Sequence, residues 1–102
     1  MTFEIKIKAG FFKTQNYYLT VEAGQIILTP REDSENRRLV IEDHNLKSVS
    51  IISRNTYSGE LEITTHSNTY IGSINLQTGM EEITKKLAQE FGGKFILQCG
   101  NV

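Results

Sequence analysis

The segment 78–93 most constrains what this chain folds into. Met80, Ile83, Leu87 and Phe91 recur at spacings of three and four, so in a helix they form one apolar stripe. Thr78 followed by Glu81 reads as a capping box, in which hydroxyl and carboxylate satisfy each other's backbone amides. Glu81 with Lys85, and Glu82 with Lys86, are spaced for ion pairs along the opposite face. Gly92 and Gly93 stop the helix, since glycine takes a left-handed C-terminal cap without penalty. Burying the stripe contributes about 6–12 kcal/mol before entropy is counted. One helix cannot bury its own stripe, so the preceding residues must supply the surface.

Those residues read as short strands. Residues 3–9 alternate, with Phe3, Ile5, Ile7 and Ala9 on one face and Glu4, Lys6 and Lys8 on the other. Residues 17–22 and 25–29 flank the turn pair Ala23-Gly24, and Pro30 closes that hairpin. The loop 31–37 mixes charges of both signs, as a solvated connection does. Further strands are expected over 38–41, 46–54, 60–65 and 69–75, separated by turns at 42–45, 55–59 and 66–68. Gly72, inside the last of these, is expected to let the helix backbone approach the sheet. After the helix, residues 94–98 form a short extra strand or a docked tail. The expected fold is therefore mainly β (α+β). Its seven antiparallel strands curl into a barrel or sandwich, and the C-terminal helix caps an open end. Residues 1–93 form the one domain and 94–102 its tail.

Composition narrows the function. In 102 residues, 11 Lys and Arg stand against 12 Asp and Glu, which argues against nucleic-acid binding through a general basic surface. One cysteine, Cys99, permits no internal disulfide and suggests a reducing, cytoplasmic compartment. No apolar run reaches membrane-spanning length, and the N-terminal residues lack the apolar centre of a signal peptide.

Candidates for chemistry are few. His44 lies beside Glu42 and Asp43, a combination that can serve metal or acid–base work, but neighbours in a turn do not converge without a third ligand. His66 and His44 both read as solvated turn residues. Cys99 has no assignable base, and Glu60 and Glu62 have no partner carboxylate. No phosphate-binding glycine loop, nucleophile elbow or metalloprotease motif occurs. The expectation is a protein that is not an enzyme, with no cofactor and no metal. Of the adjacent Phe11 and Phe12, one is expected to pack inward and the other to cover an edge.

The order of elements resembles the pleckstrin-homology-like superfold, nearer its GRAM and bacterial members. The likeness lies in the hairpin 18–28, in the strands 39–41 and 46–51, and in the hairpin 59–71, and it covers Phe3 to about Phe91. The resemblance implies a binding module. Signalling members place basic residues at the end of strand one and within strand two; here Lys6, Lys8 and Lys13 match the first part and strand two offers no cation. The expected function is thus a non-enzymatic module or small subunit for protein–protein interaction. The alternative is binding of a lipid headgroup or anionic membrane surface through Lys6, Lys8 and Lys13 in the first hairpin. The resemblance also implies that strand five leaves an open edge beside the helix. Ser50, Ile52 and Arg54 would then receive an added strand, from a protein or peptide partner or from a second copy in a homo-oligomer.

Overall fold

The computed structural model describes residues 2–9, 13–31, 38–76 and 80–99, without the side chains of 8–9, 13–14 and 99. Phe11 and Phe12, most of the charged loop, Thr78 of the capping box and the last three residues lie outside the described residues.

Eight strands form: β1 (Thr2–Ala9), β2 (Lys13–Glu22), β3 (Gln25–Pro30), β4 (Leu39–Glu42), β5 (Leu46–Ser53), β6 (Ser58–Thr65), β7 (Thr69–Asn75) and β8 (Phe95–Cys99). One helix, α1 (Glu81–Phe91), separates β7 from β8. All eight strands belong to a single sheet in the order β4-β3-β2-β1-β7-β6-β5-β8. The seven alternating segments pair antiparallel, across short turns for β2–β3, β5–β6 and β6–β7 and across the length of the chain for β1–β7. The expected seven-stranded antiparallel barrel needs correction on two counts. The 95–99 segment is an eighth strand, parallel to β5, and the sheet is mixed and not closed. A parallel neighbour requires a crossover connection, and α1 is that connection.

The sheet folds over on itself. Phe3, Leu19, Ile26 and Ile41 from one half share a single buried cluster with Val49, Leu61 and Ile74 from the other. Met80, Ile83, Leu87 and Phe91 of the helical stripe complete that cluster. The helix thus fills the fold between the two halves. In β5, Leu46 and Val49 are both buried although three apart, because a bulge between Leu46 and Ser48 shifts the register.

Local chemistry sets the turns. Gly24 takes φ +72 and Ala23 φ +21, the paired positive values that a two-residue hairpin demands. The Asn55 Oδ1 accepts hydrogen bonds from the amides of Tyr57 and Ser58, closing β5 onto β6. The Thr65 Oγ1 accepts from the amides of Ser67 and Asn68 and closes β6 onto β7. Gly92 ends α1 with φ +53 and donates its amide to the Ala88 carbonyl. The helix starts at Glu81 with Met80 at its cap, and no side chain bonds the cap. Of its i,i+4 pairs, the one that closes among the described residues is Lys86–Glu90 at 3.7 Å, rather than the acid-first pairs.

Gly72 approaches a different neighbour from the one expected. A Cβ there would lie 2.7 Å from the Lys6 carbonyl oxygen of β1, so the close contact is strand to strand, not strand to helix.

Glu90 also holds the helix to the sheet. Its Oε1 accepts the Gly24 amide at 3.0 Å, tying the helix to the β2–β3 turn. The Asp43 amide bonds the Gly24 carbonyl at 2.9 Å, and the Lys94 ammonium donates to the Asp43 carbonyl at 2.6 Å. These bonds link β4, the hairpin and the end of the helix, so the far half of the open sheet is held without strand closure. Glu90→Ala is expected to cost about 1 kcal/mol of stability, the net worth of one such bond. Glu90→Gln, which keeps the acceptor, is expected to cost less; equal losses in urea titrations would show that the Gly24 bond contributes nothing.

Candidate functional site: a free strand edge and a seam groove

β8 is the first feature. Among the described residues β5 is its sole strand neighbour, so no described strand pairs with the amides and carbonyls of its outer side. Parallel partners share a face, which sets Phe95 and Leu97 beside Val49 and Ile51, and Ile96 beside Ser50. Phe95 packs against the core. Leu97 extends past it and stays 50% exposed, and Ile96 on the opposite face is 45% exposed. No charged residue occurs from Phe95 to Cys99. The other free edge, β4, has four residues, one of them Glu42, and is the poorer template.

The open edge expected on β5 is filled. β6 pairs with β5 on one side and β8 on the other, with Ser50 opposite Glu62 and Ile96, and Ile52 opposite Glu60 and Gln98. The crossover through α1 returns the chain to that position. Ser50 and Ile52 are therefore half-buried inside the sheet's outer face, and Arg54 lies beyond the strand's end, where it does not adjoin a free backbone.

The second feature is a groove of about 430 Å³ on the outer face, lined by polar, charged and apolar residues. Among the described residues β1 and β7 pair through Ile5–Ile74, Lys6–Ser73 and Ile7–Gly72, a shorter ladder than the one β1 makes with β2. The groove opens at that seam. Lys6 lies between Asn16 of β2 and Ser73 of β7, and Ser73 faces Glu60 of β6. Arg31 reaches Glu4 at 3.6 Å and stands 5.4 Å from the Tyr18 ring. On the opposite wall the Arg54 Nη2 donates to the Glu60 Oε1 at 2.8 Å. Lys6 forms no ion pair among the described residues, and Ile5, Ser58, Gly59, Ile74 and Asn75 complete the lining.

The groove brings together Lys6 and Arg54, two residues that sequence reasoning had assigned to different surfaces. Lys8 and Lys13 belong to the β1–β2 ladder, with Lys8 opposite Thr14 and Lys13 opposite Ala9. Arg31, Ile96 and Leu97 were missed. The apolar run from Phe95 to Leu97 was the available signal for the edge, but nothing local says which strand such a segment joins. His44 stands 3.6 Å from Glu42 on an exposed turn. Among the described residues no three His, Cys, Asp or Glu converge as a metal site, and no helix is long and apolar enough to cross a membrane.

The class that fold and site define is a mainly β single-sheet protein with one C-terminal helix and a free, uncharged edge strand. Compared with protein-family models and with curated proteins, the chain matches none.

Proposed function

We propose that the protein is a non-enzymatic interaction module that binds a protein partner by strand addition at β8, within a pleckstrin-homology-like architecture. The single observation that carries this reading is the free β8 edge, with exposed Ile96 and Leu97 on its two faces. An incoming extended segment satisfies the unpaired backbone groups, and alternate side chains of that segment cover the two apolar residues. Since β8 is uncharged from Phe95 to Cys99, the matching segment is itself uncharged and apolar, with small or β-branched residues. The superfold assignment is supported by the seven-strand antiparallel run followed by a helix whose stripe enters the core.

Capture from source-cell extract on the immobilised protein, with mass spectrometry, supplies partner candidates; each is then purified and rebound. Ile96→Lys and Leu97→Lys place charge on the edge without changing a buried residue. Each is expected to weaken the purified partner at least about tenfold, the equivalent of 1.4 kcal/mol. Light scattering of the protein alone reads out pairing of two copies through the same edge. Undiminished partner binding by both folded variants would refute strand addition at β8.

A further inference from the structure

We infer that the seam groove between β1 and β7 is an anion site for a phosphate monoester carried on a hydroxyl-bearing molecule. Three cations line it, Lys6, Arg31 and Arg54, against two carboxylates, Glu4 and Glu60, so one positive charge is left over. That charge centres on Lys6, which has no carboxylate partner among the described residues. The arginines are not used up either. The 3.6 Å contact of Arg31 with Glu4 is beyond hydrogen-bond length, and Arg54 gives one N–H to Glu60. A guanidinium carries five donors in a planar fork, which suits phosphate oxygens. Arg31 enters from the β3 side and Arg54 from the β6 side, with Lys6 on the strand between them. A phosphate set on Lys6 is therefore flanked by donors from both walls. Asn16, Ser58, Ser73 and Asn75 supply neutral donors and acceptors around it for hydroxyl groups, and Ile5 and Ile74 give the carbon skeleton that carries them an apolar floor. At about 430 Å³ the groove has the volume of a small-molecule site.

This inference does not depend on the β8 edge. The test is amide chemical-shift mapping of the full chain titrated with glycerol 3-phosphate, with inorganic phosphate alongside. A sedimentation arm uses phosphatidylcholine vesicles containing phosphatidic acid. Saturable shifts at Lys6, Ser73 and Asn75 are expected, tighter for glycerol 3-phosphate than for inorganic phosphate. Lys6→Gln and Arg54→Gln are each expected to weaken binding at least about fivefold. Vesicle binding that disappears in Lys6→Gln would assign the same site to a headgroup. Absence of localised shifts with either phosphate and of vesicle binding, or shifts that persist unchanged in both variants, would overturn the site.

Discussion

Leu87→Ala is expected to destabilise the protein by about 2–5 kcal/mol, the range for emptying a leucine-sized space in a packed core. Leu87 is fully buried and sits between Ile83 and Phe91 on the helical stripe, inside the one cluster that both halves of the sheet share. Truncation there removes contacts to each half at once, and an open sheet has no barrel closure to compensate. Lys86, one residue away, supplies an i,i+4 ion pair at 3.7 Å, so Lys86→Ala is expected to cost no more than about 0.5 kcal/mol. Urea unfolding of both variants checks the contrast. Equal, small losses would mean that α1 does not dock through its apolar stripe.

Gly59→Val is expected to cost about 2–3 kcal/mol through overpacking against backbone. Gly59 belongs to β6 and pairs with Ser53 on one side and Ile74 on the other. A Cβ there would stand 2.5 Å from the Ile52 carbonyl oxygen and 3.1 Å from the Met80 Cε. The carbonyl is held in the β5–β6 ladder and cannot yield as a flexible side chain does. Relief requires β5 and β6 to separate, beside the place where Met80 starts the helix. Glu62→Ala, an exposed change on the same strand, is expected to stay within about 0.5 kcal/mol. A Gly59→Val protein as stable as the parent in thermal melts would show that the strands are less tightly coupled there than the structure has them.

The strands and the helix were legible because burial writes a period into the chain. Alternation marks β1 and β6, the three-and-four spacing marks α1, and Ala23-Gly24 marks the hairpin it forms. What was not legible is pairing between distant segments. β8 joins β5 across a helical crossover, and nothing within Phe95–Cys99 distinguishes an edge strand from a docked tail. That single pairing closed the β5 edge and moved the free backbone to Ile96 and Leu97. The groove was hidden for the same reason: Lys6, Arg31 and Arg54 come from three segments, and only the pairing of β1 with β2 and β7, and of β7 with β6, brings them to one opening. The Gly72 contact follows the same logic, since the strand lying beside β7 is β1, the most distant in sequence.

The central claim is that a partner adds a strand at β8. Amide hydrogen exchange, read residue by residue with and without the purified partner, tests it most directly. The account expects new protection in β8, at Phe95–Cys99, on binding, with Ser50 and Ile52 of β5 unchanged because their ladder is already complete. Protection that leaves β8 untouched and falls instead on the groove around Lys6 and Arg54, or on the β4 edge, would contradict it.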